Sequence, residues 1–336
     1  MMNNQISVDV LITYYNQEDC VDKSLETVFS QNVDFPVKVI IGDDGSSDNT
    51  VLKIKKWQDK YPNQIEYIIM DRDPNEKYEA IERVSKLRLE LLKRAHSKYI
   101  VFLDGDDYFI DNDKFRKQSE ILEKHKECVC CCHNYNYCDS KTGETSPAMN
   151  LSAEENNTNK YYWLRNSCQF STFMFKNVFC EDRSLYSRLD NILFDDNIIS
   201  LFFIQFGGVY MIPDIMFNYM QFENSSWNRR SDVERHVINA YDYYEESKVA
   251  PKMKFYSLLR HAHNYVYLYK HRKEIKNYDI RYWKNRVMNE KGLLYNVIFF
   301  DEISLIDKVK TTLLCRTLPF IRIGFVVLHI ILNKLF

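Results

Sequence analysis

The sequence lacks the features that mark nucleic-acid-binding and secreted proteins. Its formal net charge is only −2, and positions 1–230 contain no long basic stripe, so nucleic acid is not an expected partner. The N-terminus, MMNNQISVDV, has neither a positively charged start nor a long apolar run, which argues against a signal peptide. We therefore expect a cytoplasmic protein in which the nine cysteines are reduced.

A membrane span and a zinc site are also missing from the pattern. No uninterrupted run of about 18 apolar residues occurs, so no spanning helix is predicted. The stretch CVCCCHNYNYC at 128–138 lacks the usual spacing of zinc ligands, because its Cys and His residues are crowded and alternate between the two faces of a strand. We interpret it as a cysteine-rich strand with reduced thiols.

The chain has ample material for a hydrophobic core. It contains 336 residues, of which 45% are hydrophobic and 15% aromatic. A chain of this length fits one large α/β domain with an appendage. Short apolar runs alternate with segments of helical spacing over positions 1–110. The predicted strands are Val8–Thr13, Val37–Ile41, Ile65–Met70 and Tyr99–Leu103, and the helices between them include Thr50–Lys60 and Tyr78–Ala95.

This alternation predicts a mostly parallel sheet with helices on both faces. Three polar clusters, TYYNQ, GDDGSSD and DGDD, each follow a predicted strand directly. Ligands of such sheets bind beyond the carboxyl ends of the strands. The clusters therefore indicate a binding site at that edge, although the turn residues of GDDGSSD are also typical of a solvated strand-to-helix turn.

The cluster DGDD at 104–107 carries three carboxylates in a row interrupted only by a glycine. Such a group is repulsive when empty and suits a hard divalent cation, because Mg²⁺ and Mn²⁺ prefer oxygen ligands and often bind through one or two carboxylates plus substrate phosphates. The alternative is a capped turn that leads into the polar segment DNDK.

These motifs resemble the nucleotide-sugar half of family 2 glycosyltransferases with the GT-A fold, a Rossmann-like, mostly parallel sheet flanked by helices. The resemblance rests on VDVLITYYNQEDC, FPVKVIIGDDGSSDNT and KYIVFLDGDDYF, which occur in the family's order and spacing. It is specific over positions 1–110 and continues more weakly to about position 227. It implies a GT-A domain over 1–230, with the nucleotide-sugar half at 1–110 and the acceptor half at 111–230.

The resemblance implies how the donor nucleotide is bound. Thr13 and Tyr15 would contact it, with the Tyr15 ring against the nucleobase. Asp44 would face the edge of uracil, because an ionised carboxylate only accepts hydrogen bonds and so suits the N3–H of that base. Its neighbour Asp43 is predicted to organise the turn. Arg88 lies where the family has an arginine for the diphosphate, but its neighbours differ from the family's, and a solvated helix arginine is the alternative.

The resemblance also implies the metal and the base. Asp106 would be the main ligand of Mn²⁺ or Mg²⁺, with Asp107 beside it and Asp104 on the ribose or on metal-bound water. Asp196 falls on the family's general base, which would take the proton of the acceptor hydroxyl. The alternative for Asp195 and Asp196 is an N-terminal helix cap favoured by the helix dipole.

The sequence departs from the family at Tyr219–Phe222, where an arginine and a histidine that help at the diphosphate are missing. Glu223, Asn224 and Trp227 are candidate substitutes.

From Ser231 the pattern becomes helical, and Ser231 with Glu234 forms a predicted capping box. This C-terminal region, 231–336, ends in an apolar tail in which five Lys or Arg residues stand against one Asp after position 306. The tail fits peripheral contact with an anionic membrane, and the alternative is burial against the catalytic domain or a partner.

These implications lead to an inverting, metal-dependent glycosyltransferase. The expected donor is a nucleotide-sugar, most simply a UDP-sugar, and the expected acceptor is a glycan or lipid-linked hydroxyl at the inner face of the plasma membrane. One alternative is a nucleotidyltransferase, but TYYNQEDC lacks the glycine-rich basic phosphate loop of that class. The other is a non-catalytic nucleotide-sugar-binding protein.

Overall fold

The computed structural model describes residues 5–73, 75, 78–150, 168–190, 192–223, 225, 227 and 229–253, together with the single positions 257, 260, 264, 267, 268 and 271. The chain divides into two compact units, Met1–Ser226 and Trp227–Phe336.

The first unit begins with the predicted alternation of strands and helices. Its elements are β1 Val8–Tyr14, α1 Val21–Phe29, β2 Val37–Asp43, α2 Thr50–Lys60, β3 Ile65–Ile69, α3 Ala80–Arg94 and β4 Tyr99–Asp104. The predicted bounds lie within one turn of these, because each strand is an apolar run that ends in a polar cluster.

The remaining elements of this unit follow after β4. They are β5 Tyr108–Phe109, α4 Lys114–Lys124, β6 Cys128–Asp139, β7 Thr145–Pro147, β8 Met174–Lys176, α5 Asp196–Ile204 and β9 Gly208–Gln221, with 3₁₀ turns at Phe170–Thr172, Val178–Cys180 and Arg183–Arg188. The cysteine-rich stretch is strand β6, as predicted, and its cysteines are free thiols.

All nine described strands belong to one sheet, in the order β3-β2-β1-β4-β8-β6-β9-β5 with β7 beside β6. The first four strands of this order are parallel, as are β6 and β9, whereas β8, β5 and β7 pair antiparallel with their neighbours. The sheet confirms the predicted α/β class.

Helices cover both faces of the parallel strands. On one face, the Tyr14 hydroxyl shares a 2.6 Å hydrogen bond with Ser24 of α1, within a cluster that also contains Ile12 and Leu25. On the other face, Gly42 of β2 packs on α3 so closely that a Cβ atom there would lie 2.6 Å from the Leu87 side chain. The site edge of the sheet is therefore held from both sides.

The second unit contains helix α6, Asp232–Val249. Ser231 caps this helix, and the Ser231 and Glu234 side chains bond each other's backbone amides, which confirms the predicted capping box. The apolar tail predicted to contact a membrane lies outside the described residues. Within the ranges described above, no helix is long and apolar enough to cross a membrane.

Candidate active site

The carboxyl ends of β1, β2 and β4 meet at one edge of the sheet. Thr13 pairs with Gly42 on one side and with Asp104 on the other. The ladder continues past the strands, because the Asp44 amide donates to the Tyr14 carbonyl at 2.9 Å and the Gly105 amide donates to the Thr13 carbonyl at 3.0 Å. The three polar clusters are thus brought together as predicted.

The loops after β1 and β2 are bonded to each other. Asn16, which has a φ of 49°, donates its amide to Ser46 Oγ at 2.8 Å and accepts from the Ser47 amide at 2.8 Å. Asp48 accepts from the Glu18 amide at 3.1 Å. Positive φ is rare for residues other than glycine, and the rare cases often occur in loops at functional sites. Ser46, Ser47 and Asp48, which shortly precede α2, therefore join two loops of the site.

Asp43 and Asp44 have different surroundings. Asp43 is buried and accepts hydrogen bonds from the Ser46 amide at 2.8 Å and from Ser46 Oγ at 2.5 Å. Burial raises the pKa of Asp43, partly offset by these bonds. Its contacts lie within the turn, which is the organising role predicted for it.

Asp44 is held by two arginines, Arg72 and Arg83, which we call the arginine clamp. Arg83 Nε donates to Asp44 Oδ1 at 2.6 Å, and Arg72 forms an ion pair with Oδ2. Arg72 also donates to the Asp44 carbonyl at 2.5 Å, and its guanidinium lies 3.9 Å from the centre of the Tyr15 ring. Tyr15 is 44% exposed. A charged carboxylate and an exposed aromatic ring therefore stand side by side.

Sequence reasoning missed the arginine clamp. Arg72 follows β3 in the polar segment DRD, so the rule that found the other three clusters would also have found it. Arg83 lies inside α3 and has no local signal, because only the packing of α3 on β1 and β2 turns its side chain to Asp44.

Arg88 joins two carboxylates that are distant in sequence. Its guanidinium is buried, donates to Asp104 at 2.7 Å and forms an ion pair with Asp196 at the start of α5. The alternative of a solvated helix arginine is therefore wrong. The arrangement places the implied general base beside the implied donor-binding residues.

The environment of Asp196 sets its acidity. Desolvation raises the pKa of Asp196 to about 6, the Arg88 charge opposes this increase, and the charges of Asp104 and Asp195 add to it. Its side chain is 47% exposed, so a ligand can reach it. Asp195 caps the helix, since its carboxylate accepts from the Ile198 amide at 2.9 Å. The two adjacent aspartates thus divide into a cap and an accessible carboxylate.

Asp106 and Asp107 are carboxylates in an unfavourable environment. Desolvation, followed by the charge of Asp104, raises the pKa of Asp106 to about 6. Asp107 is buried, and desolvation and the charges of Asp106 and Asp104 raise its pKa well above the usual range. Asp107 Oδ1 accepts from the Met220 amide at 2.9 Å, whereas Oδ2 has no partner among the described residues. Desolvated, unpaired carboxylate oxygens are the groups that a bound cation would stabilise.

Asp106 and Asp107 fit a divalent cation whose coordination would be completed by a bound substrate. In the described part of the chain, no three Asp, Glu, His or Cys side chains form a ready metal site. Asp106 has no ion pair within these ranges. A Mg²⁺ or Mn²⁺ ion commonly binds through one or two carboxylates plus substrate phosphates, which requires no protein cage.

Of the candidate substitutes for the missing arginine and histidine, Glu223 is the one that the structure describes within the first unit. Glu223 forms an exposed ion pair with Lys141, Asn224 lies outside the described residues, and Trp227 belongs to the second unit. Met220 of β9 contacts Asp107 through its backbone amide.

Parts of the chain are similar in sequence to curated bacterial proteins. In Mycobacterium tuberculosis H37Rv, the uncharacterized protein Rv1520 is 34% identical over 119 residues, which cover 35% of this chain and 32% of that protein. In Bacillus subtilis 168, the minor teichoic acid biosynthesis protein GgaB is 26% identical over 193 residues, or 56% of this chain and 19% of GgaB. The chain thus spans about a third or less of the length of these curated relatives.

A solved structure and a family profile agree with this similarity. TarS 1–349 from S. aureus, in complex with UDP-GlcNAc, has a TM-score of 0.54 at 14% identity, covering 76% of this chain and 71% of that one, which shows a shared GT-A fold. The profile described as Glycosyl transferase family 2 matches residues 9–182, more than half of the chain. On the fold, the clustered motifs and this match, the chain belongs to glycosyl transferase family 2.

Proposed function

We propose that this protein transfers a sugar from a nucleotide-sugar, most simply a UDP-sugar, to an acceptor hydroxyl with inversion at the anomeric carbon. The observation that carries the proposal is the position of Arg88, whose guanidinium binds both Asp104 and Asp196. One buried side chain thereby unites the strand-end carboxylates with the accessible carboxylate of α5. A transfer reaction needs the donor-binding carboxylates and the general base close to the same anomeric carbon.

The nucleobase site would be formed by Tyr15 and Asp44. Arg72 lies against the Tyr15 ring, and the exposed part of that ring would stack on the base. Each carboxylate oxygen has about two lone pairs, so Asp44 can bind the arginine clamp and still accept an N–H of the base. Because a carboxylate bound to two guanidinium groups offers only acceptor positions to the base, this site favours uracil over cytosine, whose N3 is itself an acceptor.

The diphosphate would lie near Arg88, Asp106 and Asp107. Asp106 and Asp107 would hold Mn²⁺ or Mg²⁺, and a bound cation supplies the charge that stabilises the departing nucleoside diphosphate. Arg88 binds Asp104 Oδ1 at 2.7 Å. The other oxygen of Asp104 would contact the ribose. Arg88 itself carries the positive charge that the family places at the diphosphate.

Asp196 would act as the general base. With a pKa of about 6 it is mostly ionised at neutral pH and can take a proton. The acceptor hydroxyl would lose its proton to Asp196 as its oxygen bonds to the anomeric carbon. The bond from that carbon to the diphosphate would break on the opposite side, which inverts the configuration.

The relatives favour a cell-surface acceptor. GgaB is named for minor teichoic acid biosynthesis, and TarS was solved with UDP-GlcNAc. A glycan or lipid-linked acceptor would be met at the inner face of the plasma membrane. The apolar, basic tail after position 306 supports this location through its composition.

A donor panel tests the proposal. The full chain is incubated with UDP-GlcNAc, UDP-glucose, UDP-galactose, GDP-mannose and CDP-glucose, with Mn²⁺ or Mg²⁺, and release of nucleoside diphosphate and the melting temperature are measured. We expect at least one UDP-sugar to be turned over and to raise the melting temperature, and CDP-glucose to do neither.

Three outcomes would contradict this proposal. If no donor is turned over and none raises the melting temperature, the glycosyltransferase assignment fails. If a donor raises the melting temperature but is not turned over, the protein binds nucleotide-sugars without transferring the sugar. If Asp196→Asn supports the same turnover as wild type, the assignment of the general base to Asp196 fails.

A further inference from the structure

Three tyrosines form a cluster on one face of the sheet, at the β6–β9 pair. Tyr137 of β6 and Tyr219 of β9 are direct partners in the strand register, and their ring centres are 6.2 Å apart. Tyr135 lies two residues before Tyr137, with its ring centre 5.4 Å from Tyr137 and 6.4 Å from Tyr219. We call these three residues the tyrosine platform.

The tyrosine platform borders the acidic residues of the candidate active site. Met220, the residue after Tyr219, donates its amide to Asp107 at 2.9 Å. After burial, the charges of Asp107 and Asp196 are the largest causes that raise the pKa of the Tyr219 phenol. Tyr219 is therefore within electrostatic reach of both the strand-end carboxylates and the implied base.

The tyrosine platform combines a buried ring, Tyr135, with an exposed ring, Tyr137. Tyr135 is 5% exposed and its hydroxyl donates a hydrogen bond to the Tyr137 hydroxyl at 3.3 Å, whereas Tyr137 is 41% exposed. Tyr135 also packs against Phe217, at 6.3 Å between ring centres. An exposed ring held by a buried ring and a hydrogen bond loses little conformational entropy when it binds a ligand.

We propose that the tyrosine platform binds a neutral sugar ring of the acceptor, with its C–H face on Tyr137. This inference rests on the proposed function and names the acceptor side of the same site. The aromatic face suits the apolar C–H face of a pyranose, and the phenol hydroxyls suit its hydroxyl groups. The nearby carboxylates disfavour an anionic group such as a phosphate.

The donor base does not compete for this surface, since the proposed base contacts are Tyr15 on the loop after β1 and Asp44 after β2. These strands lie on the other side of β4 and β8 in the sheet order. A sugar on Tyr137 would instead approach from the β6–β9 side, where the charge of Asp196 acts on Tyr219.

The test uses saturation-transfer NMR with the full chain and no donor. The probes are methyl β-D-glucopyranoside, methyl β-D-galactopyranoside and the methyl β-glycoside of N-acetylglucosamine, with glycerol as a polyol that has no ring. We expect saturation of ring C–H protons for at least one glycoside and none for glycerol. Tyr137→Ala should reduce this signal at least fivefold, and Tyr137→Phe should retain most of it.

Tyr210→Ala is the matched control, because Tyr210 is a part-exposed tyrosine at the other end of β9 whose ring lies 4.7 Å from the His125 ring, between centres. It should leave the glycoside signal unchanged. Melting temperatures of all variants establish that each is folded, and a Tyr137→Ala variant that does not fold is replaced by Tyr137→Leu, with the same expected loss.

The inference is overturned if no glycoside is saturated, if Tyr137→Ala or Tyr137→Leu keeps the signal, or if Tyr210→Ala loses as much. Its failure is distinct from failure of the proposed function, which the donor panel decides without any acceptor. Donor turnover with no glycoside signal removes only the tyrosine platform. Glycoside binding with no donor turnover removes only the transferase.

Discussion

Arg88 and Asp196 form an ion pair between α3 and the start of α5, across 108 positions of sequence. The same guanidinium binds Asp104, so the pair holds the accessible carboxylate at the edge where the parallel strands end. Asp196, which the resemblance implies as the general base, is therefore paired with the Arg88 guanidinium before any acceptor binds. The acidity of Asp196 therefore depends on Arg88.

The first prediction concerns the pH dependence of turnover. The Arg88 charge lowers the pKa of Asp196, which desolvation otherwise raises, to a balance of about 6. Arg88→Gln removes the lowering effect, so the base should become protonated at a higher pH. The acidic limb of the rate profile should move upward from about 6, and turnover should fall by about 10²-fold or more. Initial rates from pH 5 to 9 measure this.

Arg94→Gln is the control for this shift. Arg94 is the last residue of the same helix, and its exposed guanidinium pairs with Glu66. It should leave the limb in place. An acidic limb that is unchanged in Arg88→Gln would mean that another group controls it.

A second prediction separates Asp195 from Asp196. Asp195→Ala removes the helix cap on the Ile198 amide and should cost about 1 kcal/mol of unfolding free energy. Asp196→Asn keeps a carbonyl oxygen that can accept from Arg88 and should lower turnover by about 10²–10⁴-fold, because the base is lost, whereas Asp195→Ala should retain most of the turnover. Thermal unfolding and nucleoside diphosphate release measure the two effects. Equal loss of turnover in both variants would show that the aspartates act together.

A third prediction is that substitutions of Asp43 and of Asp44 have different effects. Asp43→Asn weakens a buried turn contact with Ser46, so its main effect should be a lower melting temperature. Asp44→Asn removes the ionised acceptor and should raise the donor KM by about 10-fold or more, which is roughly 1.4 kcal/mol. Donor titrations of both variants measure the difference. Equal losses of donor affinity would contradict the assignment of base recognition to Asp44 alone.

Turnover should depend on a divalent cation. EDTA should abolish it, and Mn²⁺ or Mg²⁺ should restore it. Asp106→Asn should raise the cation concentration for half-maximal rate by about 10-fold or more, because one oxygen ligand loses its charge. Asp113→Asn is the control, since Asp113 is an exposed carboxylate that pairs with Arg116. Undiminished turnover of Asp106→Asn in the presence of EDTA would rule out the metal assignment.

Gly105, between the aspartates of DGDD, should not tolerate a side chain. A Cβ atom there would overlap the Tyr14 ring and lie 2.7 Å from the Thr13 carbonyl oxygen, which real Cβ atoms do not approach. Gly105→Ala should therefore lower the melting temperature by several degrees and reduce turnover. A variant with the wild-type melting temperature would show that the strand end can shift freely.

Much of the segment 1–110 could be predicted because the signals there are local. An apolar run with β-branched residues forms a strand, and the polar cluster that ends it marks the carboxyl edge. The division of Asp43 from Asp44 came from the family resemblance and not from a local signal, and the structure shows the turn contacts of Asp43 with Ser46. The helix start suggested a cap as the alternative for both Asp195 and Asp196, and the structure assigns the cap to Asp195.

The arginine clamp and the tyrosine platform could not be predicted in this way. Arg83 lies in a helix with no distinguishing neighbours, and its role depends on how α3 packs against β1 and β2. Tyr137 and Tyr219 come from strands that are far apart in the sequence, and the β6–β9 register contains irregularities that no local pattern specifies. Both features arise from contacts between distant segments.

The amino-acid sequence determined the strand and helix segments, the α/β class and the polar edge, because hydrophobic periodicity and turn chemistry act over a few residues. The tertiary structure decided which charges meet. Arg88 could have been a solvated helix residue, and Asp196 could have been only a helix cap. Packing of α3 and α5 on one sheet brought them into contact, and a buried guanidinium is stable only with carboxylate partners.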